Sequence, residues 1–509
     1  MGAIPRPVSH SVPLSNPRIE PARLLAVVSL IAFAAFRSFC WRHYVVSDDV
    51  PYLAISDAFL QGHWRETVYG LWSPLFPAVI AAVRVVFSVS SLKEAEAVNA
   101  ATFISFLFSL IGFEFLLYRI GRHDKPWMVV AYGLFGLVMA TLALPAQTPD
   151  LLMAGFLFIA AGMLLQFRTG GVTLKQSVAL GVCLGFGYLA KAPFFVIGVI
   201  ILIESAFLTR KLGKTAIAAA VAALISAPLI VGLHHRTGRL TFSDSGRINY
   251  LVHVNKRACR VPLPTSPPLF IDTTGTDWYL NFDLACASVK PEFSLGHQLA
   301  YSARITAEFL QELLFRSPAG MLIAAIILIY GGSFRWRLGW PLILLSLLTL
   351  GMYCVVHIEL RYMAAFLVLS IVAVLEKTPL LPHQARRFAA LCVIIAIVVG
   401  LRDLHSAVLP ATQQNVAKHL LSAGTHEGEA VAVVVGNADT VWVRFVRARV
   451  VASVPLDDAA QFWRGNQNST VKRMREAGAS AIVTSQVPAN ANLSGWTDLG
   501  SGYFLRWLR

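Results

Sequence analysis

The chain has 509 residues, 56% of them hydrophobic and 14% charged, and a mean hydropathy of +0.62, whereas soluble domains hold roughly 45–50% apolar residues. This composition excludes an ordinary soluble domain and predicts an α-helical polytopic membrane protein. The formal charge of +15 does not mark a nucleic-acid partner, because the Lys and Arg fall in short clusters between apolar runs, where the positive-inside bias of a bilayer places them.

Residues 1–23 (MGAIPRPVSHSVPLSNPRIEPAR) are polar and Pro-rich and read as a disordered cytoplasmic tail. The first apolar run, 24–41, is followed by WRHYVV rather than by a small-residue cleavage site, so it reads as an uncleaved anchor. Further runs, spanning about 17–25 residues each when tilt is allowed, sit near 97–118, 127–145, 150–167, 176–190, 193–209, 215–233, 318–333, 339–356, 362–376 and 388–402. The stretch PLFPAVIAAVRVVF at 74–87 is ambiguous, and parity decides it. If it crosses, Arg119, Arg122 and Lys125 share a face with the acid pair Asp48–Asp49. If it lies in the interface, every basic cluster from Arg18/Arg23 through Arg210/Lys211/Lys214 to Arg386/Arg387 falls on one face. Short basic loops belong in the cytoplasm. The expectation is therefore eleven spans in a transmembrane domain at 24–402, with the N-terminus cytoplasmic and the C-terminus extracytoplasmic.

Outer loops at 42–96 and 234–317 follow from that topology. The tail at 403–509 changes character: helix (NVAKHLLSAG), strand (EAVAVVVG), strand (RARVVASVP), helix (NSTVKRMREAG), strand (ASAIVTSQ) and a closing strand (GYFLRWLR) predict a small extracytoplasmic α/β domain. It carries no G-x-G-x-x-G and no Walker loop. Of six cysteines, Cys40, Cys183, Cys354 and Cys392 lie in or beside apolar runs as small hydrophobes. Cys259 and Cys286 share the second outer loop and are either paired or free there.

Chemistry is sought where charge interrupts these runs. Asp48 and Asp49 stand side by side among Tyr44, Val45, Val46 and Tyr52, with Asp57 at helical spacing beyond. Adjacent carboxylates in a partly dry place repel, and one tends to keep a raised pKa; such a pair is either a solvated loop feature or a general base with a ligand. Asp150, after LPAQTP, is a helix first-turn acid or a member of the same site. Lys191 in LGFGYLAKAPFFVIG costs roughly 2.5–3.5 kcal/mol at mid-bilayer, so it either snorkels or forms an anion site. VVHIELRYMAAFLVL places His357, Glu359, Arg361 and Tyr362 at the mouth of a run, where Arg361 either pairs with Glu359 or grips phosphate. Arg247, Asn249 and Tyr250 in RLTFSDSGRINYLVHVN, and the segment TDWYLNFD at 276–283, suit sugar hydroxyls and a phosphate.

Taken in order, Asp48-Asp49 with Tyr52, WSPLFPAVI at 72–80, TPDLLMAGFLF at 148–158, LGFGYLAKAPF at 184–194 and ELRYMAAFLVL at 359–369 resemble the motifs of the polytopic GT-C glycosyltransferases of the protein O-mannosyltransferase and aminoarabinose-transferase-like group (family 39 type). This chain departs by having Asp at 49 where the family has Glu, Ala at 192 where it has Gly, and a Leu between Glu359 and Arg361. The resemblance implies an inverting transfer of a sugar from a polyprenyl-phosphate donor, at the outer face of the inner (plasma) membrane, to a hydroxyl of a glycan, lipid or protein acceptor. Lys191, Arg361 and His357 would hold the donor phosphate and Asp48 would be the general base. Asp49 and Asp150 would orient the acceptor or bind a divalent metal ion, and Tyr52, Arg247, Asn249 and Tyr250 would meet the acceptor or sugar. Two rivals are a flippase of lipid-linked sugars, for which a path of buried charges serves equally well, and a non-catalytic assembly subunit.

Overall fold

The computed structural model describes residues 21–508 apart from 47, 171, 258–268, 272–285, 287–288, 331–339, 377, 409–410, 435–439, 455–457, 466 and 486. Nearly all of the predicted N-terminal tail, Cys259 and the TDWYLNFD segment lie outside the described residues. A helix satisfies its own backbone polar groups in lipid, and each predicted apolar run is helical over most of its described residues. In chain order the helices are α1 (Pro21–Cys40), α2 (Asp49–Gln61), α3 (Leu75–Val86), α4 (Glu94–Ile120), α5 (Lys125–Val138), α6 (Asp150–Gly170), α7 (Leu174–Ala190), α8 (Phe194–Thr209), α9 (Leu212–Thr237), α10 (Ser245–Asn249), α11 (Leu295–Gln311), α12 (Pro318–Tyr330), α13 (Trp340–Val356), α14 (Leu360–Leu375) and α15 (Pro382–Ala407). The predicted runs coincide with α1, α4 to α9 and α12 to α15. Among the described residues, six helical segments are long and apolar enough to cross a membrane individually. The pair Leu295–Arg316 and Pro318–Tyr330, bent by 79°, makes a seventh if taken as one span; α3, α7, α8, α13 and α14 are shorter apolar helices.

The ambiguous stretch at 74–87 is α3, a helix of 12 residues, about 18 Å long at 1.5 Å per residue and so far short of a hydrocarbon core of about 30 Å. It packs Phe76, Ile80 and Val83 inward and leaves Val85, Val86 and Phe87 exposed. Local chemistry sets other boundaries. Asp124 caps α5 by accepting from the Trp127 amide, and Thr173 and Gln176 form a reciprocal capping box at the start of α7. Pro193, which disfavours helical backbone in the residue before it, separates α7 from α8, and Lys191 takes extended geometry at φ −154°, ψ 128°.

Close packing replaces the hydrophobic drive that is missing between helices in lipid. On α4, a methyl group added at Gly112 would lie 2.4 Å from the Gly155 carbonyl of α6, and one at Gly181 of α7 would lie 2.5 Å from the Ala218 carbonyl of α9. Gly112→Val is therefore expected to cost at least about 1–3 kcal/mol by overpacking, read as a lower melting temperature in detergent; an unchanged melting temperature would show that α4 and α6 do not meet in this way.

The C-terminal region adds α16 (Thr412–Ser422), α17 (Trp442–Val446), α18 (Ala459–Arg464), α19 (Gln467–Glu476) and a six-stranded sheet. Its strands are β1 (Phe270–Ile271), β2 (Ala430–Val434), β3 (Arg449–Val454), β4 (Ala481–Thr484), β5 (Thr497–Gly500) and β6 (Tyr503–Trp507), ordered β1-β3-β2-β4-β6-β5. β2 runs parallel to β3 and β4, and the outer pairings are antiparallel. Side chains alternate across a strand: Val431 and Val433 enter one apolar layer with Trp442 and Phe445, while Ala432 and Val434 enter the other with Phe462 and Met474. The predicted α/β domain is present, with β5, α17 and α18 added and an edge strand, β1, lent by the second loop.

Candidate functional site

The turn after α1 answers why two acids stand together. Asp49 opens α2 and folds back on the chain. Its amide donates to the Val46 carbonyl at 3.0 Å and its Oδ2 accepts from the Val46 amide at 2.8 Å, leaving the side chain fully buried. Asp48, the residue before the helix, keeps 36% of its side chain exposed and lines a cavity of about 610 Å³. Pro51 and Tyr52 line the same wall, with the Tyr52 ring edge-on to Trp72 and Phe76 at 5.2 Å each.

The same cavity carries two cations. Lys191, at the break between α7 and α8, forms an ion pair with Asp150 Oδ1, sits 4.0 Å above the Tyr362 ring and lines the cavity. Asp150 is buried behind it and also accepts from the Thr148 hydroxyl at 2.5 Å. At the start of α14, Arg361 Nε donates to Glu359 Oε2 at 2.6 Å, and its Nη2 lies 3.8 Å from Asp48 Oδ2. His357 Nε2 is 2.9 Å from Glu359 Oε1, and its ring stacks on His253 at 3.9 Å with an interplanar angle of 5°. Val196, Ile248, Val252, Met352, Tyr353 and Val356 make much of the remaining lining apolar.

These surroundings set proton affinities. Burial lifts the Asp48 carboxyl above the usual carboxylate range, reinforced by Glu359 and opposed by the Arg361 guanidinium. Burial also lifts Asp49, well above that range. Glu359 goes the other way: burial is outweighed by the hydrogen bond from His357 and by the Arg361 charge, which hold it well below its ordinary value. Burial, with the neighbouring His357, takes the His253 imidazole down to about 4. The cavity thus sets a carboxylate able to take a proton beside two cations held by Asp150 and Glu359.

Of the residues singled out by sequence, Asp48, Tyr52, Lys191, Arg247, Asn249, His357 and Arg361 line this cavity. Asp49, Asp150 and Tyr250 do not; Asp49 is spent on the helix start and Asp150 on Lys191. Arg247 Nη2 donates to the backbone carbonyls of Cys286, at 2.8 Å, and Val289, so it braces the second loop as well as lining the cavity. Cys286 is disulfide-bonded. Asp57 points away from the cavity, toward Arg84, Arg444 and Arg447. Trp72, Ser73 and His253 also line the cavity; all three lie within the stretches WSPLFPAVI and RLTFSDSGRINYLVHVN, in which nothing in the spacing sets them apart. No group of three or more His, Cys, Asp or Glu suited to a metal ion occurs among the described residues. A second cavity, of about 780 Å³, lies in the C-terminal domain beside Arg449, Lys472, Arg473 and Glu476.

No protein-family model and no curated protein sequence matches the chain. Among solved structures, ArnT from Cupriavidus metallidurans bound to undecaprenyl phosphate matches with a TM-score of 0.54 at 14% identity, over 91% of this chain and 92% of that one. The apo state of the same protein matches at 0.45. An Archaeoglobus fulgidus oligosaccharyltransferase in complex with Zn and sulfate matches at 0.47 and 14% identity, over 90% of this chain and 67% of that one. The chain has a GT-C-like fold, as its ordered motifs predict.

Proposed function

We propose that this protein is a membrane glycosyltransferase that moves a sugar from a polyprenyl-phosphate donor to an acceptor hydroxyl, with inversion, on the extracytoplasmic side of the inner membrane. The observation that carries the reading is the convergence of Asp48, Lys191 and Arg361 on one cavity with apolar lining. The fold it shares with ArnT, which was solved bound to undecaprenyl phosphate, supports a polyprenyl phosphate as donor. The basic clusters of the opposite loops support a cytoplasmic N-terminus, with residues 24–402 as the membrane domain and 403–509 outside.

Asp48 takes the proton of the acceptor hydroxyl as its oxygen bonds to the anomeric carbon, a role that requires hydrogen-bond reach of about 2.6–3.2 Å. The bond from that carbon to the phosphate oxygen breaks, and its electron pair leaves with the phosphate. A phosphate leaving group needs charge stabilisation rather than an acid, and Lys191 and Arg361 supply it. Asp150 and Glu359 hold those two cations in place, and the stacked His253 and His357 close the cavity beside them. Asp49 acts by shaping the turn that presents Asp48.

Purified protein in detergent, given acceptor extracts and a panel of polyprenyl-phosphate sugars, is expected to consume one donor, transfer its sugar to an acceptor hydroxyl and release polyprenyl phosphate. Because the Asp48 carboxyl is lifted by burial, it is protonated and inactive in acid, and the rate rises as pH climbs through that raised value. A rate that stays level through the acidic range would remove Asp48 from the base role. Lipid binding without consumption of any donor, in the presence of acceptor extracts, would favour the assembly-subunit reading.

A further inference from the structure

The cavity accounts for only one face of α2. The other face meets a buried ionic cluster whose members come from four separate places. Asp57, on α2, accepts from Arg84 of α3 at 2.7 Å, from Arg444 of α17 at 2.6 Å and from Arg447 just after α17 at 2.7 Å. Glu94, the first residue of α4 and fully buried, accepts from the same three guanidiniums at 2.9, 2.7 and 2.6 Å. Arg444 Nη2 reaches the Leu53 carbonyl of α2 at 3.4 Å. Burial alone would raise Asp57, but Arg444, Arg447 and Arg84 hold it down at about 2, so Asp57 stays ionised.

An apolar contact runs beside the charges. Val50, two residues after Asp48, is buried in the apolar layer that holds Trp442 and Phe445 of the C-terminal domain, together with Ala95 of α4. Asp57 lies eight residues along α2 from Asp49, roughly 12 Å on its axis, and a helix moves as a rigid rod over that distance, carrying with it Asp48, the residue directly before it. Whatever fixes Asp57 and Val50 also fixes Asp48.

We propose that the C-terminal domain is a positioning element for the site: through Arg444 and Arg447 it grips α2 by Asp57 and sets where Asp48 stands against the acceptor. The inference rests on the assignment of Asp48 as the base. Arg444, Arg447 and Asp57 are positioning residues and touch no reacting atom. Lys191 and Arg361 are held by Asp150 and Glu359 rather than by this cluster, so the grip reaches the donor site only through the 3.8 Å approach of Asp48 to Arg361.

Asp57→Asn removes the shared acid while keeping its shape, and Arg447→Ala leaves both acids paired with Arg84 and Arg444 should the first variant fail to fold. For either, hydrogen exchange at the amides of residues 50–56 is expected to speed up while exchange in α7 and α8 stays at the wild-type rate. Turnover is expected to fall by about ten- to a hundredfold, as small displacements of catalytic groups do, with KM for the donor unchanged. Arg447→Lys is expected to restore part of the turnover lost in Arg447→Ala. Wild-type exchange rates across α2, or a parallel loss of turnover and donor affinity, would overturn the proposal. The exchange measurement decides the grip on α2 even if wild-type protein consumes no donor, an outcome that would instead sink the assignment of Asp48.

Discussion

Asp48→Asn is expected to cut sugar transfer by about two to four orders of magnitude while leaving the donor bound. The substitution keeps size and hydrogen-bonding shape but cannot take a proton at the moment the acceptor oxygen attacks. General-base catalysis contributes typically about 10²–10⁴-fold, and turnover should fall within that range. The dissociation constant for polyprenyl phosphate should stay near wild type or tighten, because a negative group 3.8 Å from Arg361 has been removed from beside an anion site. Turnover and lipid affinity measured on the same preparation separate the readings. Loss of turnover with binding intact supports the enzyme; full turnover in the variant would end the proposed mechanism.

Lys191→Ala should act on the other half of the reaction. A hydrogen bond to a charged group is worth about 1.5–3 kcal/mol, so affinity for polyprenyl phosphate should weaken roughly ten- to 150-fold. The loss extends to stability. Asp150 is buried, with the Thr148 hydroxyl as its other side-chain hydrogen-bond partner among the described residues, and breaking a buried pair costs about 3–5 kcal/mol. A lowered melting temperature should accompany the weaker binding. Lys191→Arg keeps the charge and should recover most of the stability but less of the affinity, since a planar guanidinium does not reproduce an ammonium between Asp150 and the Tyr362 ring. Unchanged lipid affinity in Lys191→Ala would put the phosphate elsewhere.

The two predictions draw on residues that were legible to different degrees. Lys191 stood out because a cation between two apolar runs is costly wherever a bilayer lies, a fact of local composition. The acid pair stood out as a pair. Which acid faces the cavity depends on the Val46–Asp49 hydrogen bonds that start α2, and those require knowing where the turn after α1 begins. Asp57 was grouped with them by spacing, yet its partners Arg444 and Arg447 lie almost 400 residues away in sequence: the hydrogen bond from Arg447 spans 390 positions. No periodicity encodes such a contact. The short strand β5, TDLG, escaped notice because it has neither β-branched alternation nor length.

Sequence by itself determined the membrane character, the helical runs, the small α/β tail and the order of charged interruptions along the chain, because hydropathy, backbone satisfaction in lipid and turn chemistry act over one segment at a time. Tertiary structure alone decided that Asp48 rather than Asp49 meets the two cations, that Asp150 serves Lys191, and that the C-terminal domain holds α2 through Asp57 and Glu94. Each of these depends on which side chains are brought together from distant segments under burial, where a charge must find its counter-ion or destabilise the fold.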